Sequence, residues 1–479
     1  MVEGMISLKA PLLEELFKYH NEKNLMLSMP GNKAGLGFEI DDLGIEFMKR
    51  MGKLDITEVD PLDNLHCPEG VIKEAQRLLA KTYKSKKAYF LVNGSSGGNL
   101  SAIFTCFNEG DEVIIERNCH KSIYNGAILR KLKVSYIEPI IDSEHGIFLP
   151  PNRENIYKAF DNCTNTKGII LTYPNYFGIT YDIEEILKDF RGRGLKVILD
   201  CAHGAHFGIN KKLPKSMTQL GDYVVLSAHK TLPALTQGSY IVVNDEKSDF
   251  EFYLRTFMTT SPSYLIMASL DYARYYIDTY GEKDYEKLIN MAEHWKEKIN
   301  KLGKIKIISC DDIKAYGKYD LDKSRYLMIL PKGYSGHKLL DYFRIKKVQS
   351  EMSFAQGIVL ILSPFNTEDD FKKIYDIILN LDLKDFKSES LSVYDNSIPK
   401  KILEPYEVFN LSYEMIDINE CEGRISKEFI TPYPPGIPLV CPGERIEKEA
   451  VNIIEDYIRN EKDILGVDKE QKKISAIIE

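Results

Sequence analysis

Closely spaced cysteines, excess basic charge and long apolar runs are absent from this chain, and each absence excludes a class of protein. The 479 residues include eight cysteines without a CxxC pair, a pattern typical of reduced cytosolic thiols rather than of a disulfide framework. The formal charge of -8 disfavours binding to nucleic acid. No run approaches the roughly 18 apolar residues of a membrane span, and no signal peptide is recognisable. We therefore expect a soluble cytoplasmic protein.

Short β-rich segments alternate with amphipathic segments between about residues 70 and 245. Most of the β-rich segments are continuous apolar runs, as expected for strands that are buried on both faces of a parallel sheet. The segments between them have the apolar spacing of helices with one buried face. The sequence therefore predicts an α/β fold. The predicted strands cover residues 88–93, 112–116, 134–138, 168–173, 196–200, 223–227 and 239–243.

The chain is longer than one hydrophobic core normally organises, so several structural units are expected. A helical region from about residue 265 leads to a second set of strands, which predicts a smaller α/β unit. A Lys/Asp/Ser-rich passage near 382–402 is the predicted linker, and the Pro-rich segment 431–444 predicts a rigid extended path. The predicted units are an N-terminal segment 1–55, a large domain 56–300, a small α/β domain 301–385 and a C-terminal domain 386–479.

Chemically versatile side chains follow the predicted strands at their carboxyl ends, where parallel sheets bind their ligands. The sequence GSSGGN could hold a phosphate at the start of a helix, although Gly/Ser turns are also common as simple helix caps. A histidine, an aspartate and a lysine follow other strands of the same edge. The residues concerned are Gly94, Ser95, Ser96, His120, Asp200, His203, Ser227, His229 and Lys230.

Pyridoxal phosphate is a ligand that would use all of these groups. Its aldehyde condenses with a lysine such as Lys230, its phosphate needs a Gly/Ser loop, and a carboxylate such as Asp200 keeps its ring nitrogen protonated. One alternative is a lysine that simply extends to solvent. Another is a metal site at His203, His206 and His120, but the HxxH spacing lacks a HExxH glutamate and leaves the lysine unexplained.

Further motifs follow one another along nearly the whole chain. They include SMPGNKAG, FLVNGSSGGN, RNCHKS, DCAHGAHF, SAHKTLPALTQGS, TTSPSYLIMASLD and YPPGIPLVCPGE. Together they resemble the pyridoxal-phosphate-dependent ornithine/lysine/arginine decarboxylase family, in the short form that lacks an N-terminal wing domain. The resemblance implies a fold of the aspartate-aminotransferase type, with a mostly parallel seven-stranded sheet, a small domain and a C-terminal decarboxylase domain. It also implies a homodimer with active sites at the subunit interface.

The resemblance also assigns roles to individual residues. Lys230 is similar to the lysine that forms a Schiff base with the cofactor, Asp200 to the partner of the ring nitrogen, and His120 to the histidine stacked on the ring. Thr260 and Ser261 resemble a segment that the neighbouring subunit contributes. Further cofactor or substrate contacts are implied for Gly94, Ser95, Ser96, Ala202, His203, Ser227, His229 and Glu351.

Three positions depart from the family pattern. Asn32 replaces a histidine, Cys201 replaces an acid, and Phe354 stands where an acid is common shortly after the residue matched by Glu351. Cys201 is expected to face away from Asp200, because successive side chains of a strand point to opposite faces. The departure at Phe354 leaves the identity of the substrate open.

The expected reaction is decarboxylation of a basic amino acid, as in polyamine biosynthesis, with arginine favoured over lysine and ornithine. The proton donor could be His229, Lys230 or water. An aminotransferase or lyase on the same fold is an alternative and could use Arg344 to bind the α-carboxylate. A cofactor-binding regulator without turnover is a further alternative, against which the intact lysine, aspartate and histidine argue.

Overall fold

The computed structural model describes residues 10–245, 249–388, 398–433, 437–459 and 463–478. Its main sheet has seven strands, in the spatial order β1-β7-β6-β5-β4-β2-β3. All neighbours pair in parallel except β7, which is antiparallel to β1 and β6. The predicted α/β fold with a mostly parallel seven-stranded sheet is confirmed. The strands are β1 Lys87–Leu91, β2 Glu112–Glu116, β3 Lys133–Ile137, β4 Thr166–Thr172, β5 Lys196–Asp200, β6 Tyr223–Leu226 and β7 Ser239–Val243.

Helices cover the main sheet, so the middle residues of its central strands are apolar. Val113, Ile170 and Leu199 are buried in this core. One helix lies so close to the sheet that a Cβ atom at Gly98 would be 2.6 Å from a methyl group of Leu91. The helices of this part of the chain are Val71–Thr82, Gly94–Cys106, Lys121–Leu129, Arg153–Asp161, Glu184–Gly192, Ala228–Thr231, Phe250–Thr256 and Tyr264–Tyr276.

A second α/β unit has its own core, which includes Trp295, Phe343 and Leu360. Its antiparallel sheet has the order Lys306–Ile307, Arg325–Ile329, Gly357–Ile361, Met352–Phe354. Its helices are Glu282–Asn300, Cys310–Ile313, Gly336–Ile345 and Glu368–Leu379. The predicted smaller α/β unit is therefore present, while the predicted domain limits stay a prediction.

Short elements connect these units. The N-terminal strand Leu25–Leu27 pairs in parallel with Val348–Ser350 and so joins the second unit. A π-helical turn, Ile277–Gly281, links two long helices. The remaining elements before residue 389 are the helices Pro11–Asn21 and Asp42–Leu54, the 3-10 turns Leu36–Phe38, Lys314–Tyr316 and Leu383–Phe386, and the strands Ile140–Asp142, Ile147–Leu149, Ile179–Tyr181 and Tyr319–Leu321.

A C-terminal unit packs around the amphipathic helix Lys448–Arg459. Tyr413–Asp417, Lys473–Ile477 and Val467–Asp468 form its antiparallel sheet, and Thr431–Tyr433 pairs with Asp463–Leu465. Two 3-10 turns, Glu407–Asn410 and Ile418–Glu420, complete it. The predicted linker and the Pro-rich segment include residues 389–397 and 434–436, which lie outside the described residues.

A buried ion pair fixes the C-terminal unit to the main sheet. The two terminal nitrogens of Arg117, which follows β2, lie 2.5 and 2.7 Å from the carboxylate oxygens of Glu444. The same guanidinium donates to the carbonyls of Pro438 and Leu439, each at 3.1 Å. Such a bidentate pair restricts orientation as well as distance, so it sets how the C-terminal unit faces the sheet.

In the ranges that the structure describes, no helix is long and apolar enough to span a bilayer.

Candidate active site

A cavity of about 870 Å³ lies at the carboxyl ends of the main strands. Its floor includes five of the predicted site residues, namely His120, Asp200, Ala202, His203 and Lys230. The C-terminal unit forms the opposite wall of the cavity. That wall includes Phe409, Lys427, Glu428, Phe429, Thr431 and Ile437. The most chemically versatile residues of the sequence therefore meet in one chamber, and two structural units enclose it.

Asp200 ends strand β5 and is buried, and both of its carboxylate oxygens accept hydrogen bonds. The side-chain amide of Asn99 donates to Oδ2 at 3.0 Å, and the backbone N–H of Ala202 donates to Oδ1 at 3.1 Å. Asn99 lies on the helix Gly94–Cys106 and also donates to the hydroxyl of Ser122 at 2.9 Å. These bonds fix the orientation of the carboxylate before any ligand binds.

Lys230 lies in the short helix Ala228–Thr231, directly after β6. Its Nζ is 3.0 Å from Nε2 of His203. Burial lowers the pKa of Lys230, while the carboxylate of Asp200 acts in the opposite direction. Burial, Lys230 and Arg325 together hold the pKa of His203 well below its usual value. The imidazole beside Lys230 is therefore neutral.

His120 caps the helix Lys121–Leu129, and its ring is exposed to the cavity. Its Nδ1 lies 2.8 Å from the hydroxyl of Ser122, which also accepts from Asn99. The ring of His120 and the carboxylate of Asp200 are thus linked through Ser122 and Asn99. This network holds both groups at the cavity floor.

Serine hydroxyls and a helix start form a polar cup near the floor. The Ser95 hydroxyl hydrogen-bonds to the Ser227 hydroxyl and donates to the Ser239 hydroxyl at 3.2 Å. The helix begins at Gly94, whose φ of +75° favours glycine. Ser96 is exposed in the same first turn. Backbone N–H groups of a first helical turn lack partners within the helix, so the cup can bind an anion.

Three other predicted residues lie around this cup. His229 donates from Nδ1 to the carbonyl of Gly238 at 2.9 Å. Thr260 and Ser261 are exposed, and the neighbouring N–H of Thr259 donates to Asn93 at 3.3 Å. The segment that carries them therefore runs beside the start of the Gly94–Cys106 helix. Their action on a neighbouring subunit stays a prediction.

Glu351 is held by protein donors on both oxygens. The hydroxyl of Tyr176 donates to Oε1 at 2.6 Å, and the N–H of Met29 donates to Oε2 at 2.9 Å. Its buried neighbour Lys33 has a pKa lowered to about 7 by burial, which Glu351 partly opposes. Phe354 packs edge-to-face on Phe177, with ring centroids 5.4 Å apart. Glu351 thus lies in a polar seam between the N-terminal segment and the second unit.

The other departures from the family pattern have structural partners. Asn32 is buried, donates to the carbonyl of Ala234 at 2.9 Å and accepts from the N–H of Gly35 at 3.1 Å. Cys201 is buried in the core of the main sheet, so it packs there as the strand alternation predicts. Neither residue adds a charge to the cavity.

Arg344 and His206, the residues of two alternative hypotheses, each pair with an aspartate. Arg344 is exposed and pairs with Asp341 at 2.9 Å, so it lies at the surface. His206 pairs with Asp322 at 3.0 Å, whereas His203 contacts Lys230. Within the described ranges, no group of three His, Cys, Asp or Glu side chains is placed to hold a metal ion.

Sequence reasoning missed Asn99, Arg325 and Glu428 as site residues. Asn99 was within the quoted GSSGGN motif, and a polar side chain on a buried helix face was the sign that could have found it. Arg325 reaches His203 from the second unit, 122 residues away. Glu428 belongs to the C-terminal unit. No local pattern connects these two residues to the cavity.

Two long stretches of the chain match domains of known proteins. Residues 10–368 match the major domain of Orn/Lys/Arg decarboxylases, and residues 394–466 match the C-terminal domain of the same enzymes. The chain belongs to the Orn/Lys/Arg decarboxylase family. Membership in the family implies pyridoxal phosphate as the cofactor.

Individual relatives agree with this assignment. The chain is 30% identical over 460 residues to an arginine decarboxylase of Bacillus subtilis, covering 93% of each chain. The lysine decarboxylase LdcF of Francisella novicida superposes with a TM-score of 0.78 at 21% identity, covering 98% of this chain and 81% of that one. A serine palmitoyltransferase from S. paucimobilis, solved with a PLP–myriocin adduct, matches with a TM-score of 0.57 at 14% identity, covering 74% and 86%. The predicted family and the predicted fold are confirmed.

Proposed function

We propose that this protein is a pyridoxal-phosphate-dependent decarboxylase that converts arginine to agmatine and carbon dioxide. The observation that carries the proposal is the cavity that Lys230 and Asp200 share with Glu428 and aromatic side chains of the C-terminal unit. An amine and a carboxylate suit the two poles of the cofactor ring, and the carboxylate of Glu428 suits a basic substrate.

The donor set of the cavity fits pyridoxal phosphate. The cup at Gly94 and Ser95 offers backbone and hydroxyl donors to a phosphate, and Asp200 offers a carboxylate to the ring nitrogen. Among the described residues, Thr172 Oγ1 and Asn99 Oδ1 are buried polar atoms without a hydrogen-bond partner. Thr172 also lines the cavity. Buried polar atoms are rarely left unpaired, which supports a bound polar group here.

Each floor residue has a proposed task. Lys230 would hold the cofactor aldehyde through its amine, and His120 would hold the ring. Asp200 keeps the ring nitrogen positively charged, in an orientation that Asn99 and Ala202 have already set. When bound, the cofactor accepts the electron pair that remains after carbon dioxide leaves. Lys230 and His229 are the protein groups proposed to return a proton to the product carbon.

Glu428 is the proposed anchor for the distal cation of the substrate. Its side chain lines the cavity, and its carboxylate has no hydrogen bond or ion pair within the described part of the chain. The adjacent Lys427 does not pair with this carboxylate, because its ammonium donates instead to the carbonyls of Val408, Phe409 and Leu411 at 2.7, 2.9 and 3.2 Å. Glu351, in contrast, already accepts two protein donors. Glu428 is therefore the better match for a guanidinium.

The experiment that tests the function uses the purified full chain with pyridoxal phosphate. Arginine, lysine and ornithine are supplied separately, and the released carbon dioxide and amine are measured. We expect the highest kcat/KM with arginine, because the arginine decarboxylase relative shares more sequence with this chain than the lysine decarboxylase structure does. Preference for lysine would support the second candidate. Absence of carbon dioxide from all three substrates would overturn the proposal.

A homodimer in the cytoplasm is the proposed working form. Exposed apolar side chains of the helices Pro11–Asn21 and Asp42–Leu54 support a second copy, since Leu12, Phe17 and Leu43 are 76, 60 and 58% exposed. The eight cysteines are free thiols, which suits a reducing compartment. Measuring the mass in solution tests the dimer, and a Phe17→Glu variant is expected to shift it toward monomer. A monomer of the unaltered chain would contradict it.

A further inference from the structure

Arg325 connects the second unit to the cavity floor, and every nitrogen of its guanidinium has a partner. It begins the strand Arg325–Ile329 and is buried. Nη1 donates to the carbonyl of Tyr176 at 2.5 Å, and Nε donates to Asp322 at 3.3 Å. Nη2 lies 3.1 Å from Nδ1 of His203 and 3.3 Å from the His203 carbonyl oxygen. The guanidinium therefore cannot turn away from the imidazole without losing several bonds.

The contact between Arg325 and His203 determines which ring nitrogen carries the proton. A guanidinium has only donors, so Nδ1 of His203 must accept. In a neutral imidazole the proton is then on Nε2, the atom that faces Lys230 at 3.0 Å. An Nε2–H group can hydrogen-bond to Lys230 only if the lysine nitrogen offers a lone pair. A charged ammonium would place two donors against each other.

We propose that Arg325 is a positioning residue that acts through His203 to keep Lys230 uncharged and ready to bind an aldehyde. The proposal depends on the proposed function, since it explains how Lys230 can bind the cofactor at neutral pH. Condensation forms a carbon–nitrogen double bond from the amine lone pair and the aldehyde carbon, and the carbonyl oxygen leaves as water with the two amine hydrogens. An ammonium has no lone pair for this step.

The support behind Arg325 is rigid. Asp322 is buried, and its Oδ2 contacts Nε of Arg325 and Nε2 of His206, at 3.3 and 3.0 Å. Ser324 donates to the same carboxylate from its backbone N–H at 3.0 Å and from its hydroxyl at 2.6 Å. Burial alone would raise the pKa of Asp322, but the pairs with His206 and Arg325 hold it below its usual value. The negative charge that orients the guanidinium thus persists across the neutral pH range.

Other charged groups also act on Lys230, and their effects oppose one another. The carboxylates of Asp200 and Glu351 favour the ammonium, while Arg325 and burial favour the free amine. The histidines that face Lys230 are all shifted toward their neutral forms by burial. Several titratable and charged groups surround Lys230 and the two residues that act on it, His203 and Arg325. They are Lys33, His120, Asp200, His206, His229, Asp322 and Glu351. The carboxylates of Asp200 and Glu351 therefore oppose the relay, which is the chain of contacts from Arg325 through His203 to Lys230.

The test measures the protonation of Lys230 directly in the cofactor-free full chain. Brief labelling with acetic anhydride at a series of pH values, followed by mass spectrometry of the Lys230 peptide, gives the titration midpoint of this amine. The amine of an ordinary lysine has a pKa of about 10.4. We expect a midpoint below this value in the unaltered chain and a rise of about one pH unit in Arg325→Met, which means about tenfold less labelling at pH 7. An unchanged midpoint in a folded Arg325→Met variant would overturn the proposal.

Two controls separate the relay from general effects. Arg344→Met removes an exposed guanidinium and should leave the Lys230 midpoint unchanged, while Arg325→Lys, which keeps a cationic donor, should restore part of the shift. If Arg325→Met fails to fold, 15N spectra of histidine-labelled unaltered protein decide, with His203→Gln used for assignment. The Nε2–H tautomer of His203 is expected, and an Nδ1–H or doubly protonated ring would refute the relay. Neither measurement uses cofactor turnover. Failure of the decarboxylase assay, which would overturn the proposed function, can therefore be distinguished from failure of the proposal about Arg325.

Discussion

The carboxylates on the floor and on the wall of the cavity differ in how many hydrogen-bond donors they already have. On the floor, Asp200 accepts two hydrogen bonds and Lys230 contacts His203. On the wall, the carboxylate of Glu428 has no hydrogen-bond partner among the described residues. A resident cofactor benefits from groups fixed in advance, whereas a substrate that enters and leaves needs an acceptor that is still available. The floor therefore suits the cofactor, and the wall suits the substrate.

The two sides also differ in how they are built. Floor residues follow neighbouring strands of one sheet, so their spacing is set by backbone pairing. The wall belongs to a separate unit whose position depends on contacts such as the ion pair between Arg117 and Glu444. Changes to the floor should therefore alter chemistry, and changes to the wall should alter binding or stability.

The largest expected effect is that of Lys230→Ala on the floor. Without the amine that binds the cofactor, decarboxylation should fall below detection, together with the visible absorbance of the cofactor-loaded protein. The measurement is kcat with arginine combined with an absorption spectrum. Lys301→Ala, which removes an exposed lysine, is the matched control and should leave both unchanged. Turnover by Lys230→Ala at a tenth of the normal rate would contradict the assignment.

The next effect concerns the attachment of the wall. Arg117→Met leaves the buried carboxylate of Glu444 without its partner, which should cost about 3–5 kcal/mol of unfolding free energy. Unfolding in urea, followed by fluorescence, measures this loss. The double variant Arg117→Met, Glu444→Gln should recover a large part of it, because no buried charge is then unpaired. Equal stability of the single variant and the unaltered protein would show that the pair does not hold the wall.

Asp200→Asn should reduce kcat by about 10²–10³, because a preorganised charge at the ring nitrogen is lost while the shape is retained. KM for arginine should change little, since Asp200 lies on the floor of the cavity, where the cofactor is proposed to bind. Steady-state kinetics with saturating pyridoxal phosphate measure both constants. Near-normal kcat would mean that another group carries out this role.

The smallest expected effect is that of Glu428→Gln on the wall. Loss of a charge-assisted hydrogen bond to the guanidinium should weaken binding by about 1.5–3 kcal/mol, which is a rise in KM of roughly 10–100-fold with kcat nearly retained. Glu420→Gln, an exposed carboxylate of the same unit, is the control. If kcat fell and KM stayed constant, the separation between floor and wall would be wrong.

The floor could be predicted from the sequence because it depends on local patterns. The predicted strands 112–116, 196–200 and 239–243 match the observed bounds, and Asp200 and Lys230 follow from where two strands end. The first predicted strand, 88–93, runs past the observed end at Leu91, because the chain turns there toward the helix that begins at Gly94. Apolar runs fix where a strand lies better than where it ends.

The wall and the relay could not be predicted, because they depend on packing between units. In the sequence, Arg325 has no feature that distinguishes it from other residues at the start of a strand. Only the fold places it beside His203. Glu428 reads as one of many acidic residues until the C-terminal unit closes the cavity. Glu351 was the acidic residue that the motif suggested, yet the hydroxyl of Tyr176 and the N–H of Met29 already occupy its oxygens. Hydrogen-bond saturation is a property of the folded chain alone.

The most direct test of the account is to identify the lysine that binds the cofactor. The full chain is incubated with pyridoxal phosphate, reduced with borohydride, digested and analysed by mass spectrometry. We expect the pyridoxyl mass on Lys230. Lys33 is the internal competitor, because it is a second buried lysine whose pKa is lowered, to about 7. Modification of Lys33, or of any other lysine in place of Lys230, would contradict the central claim.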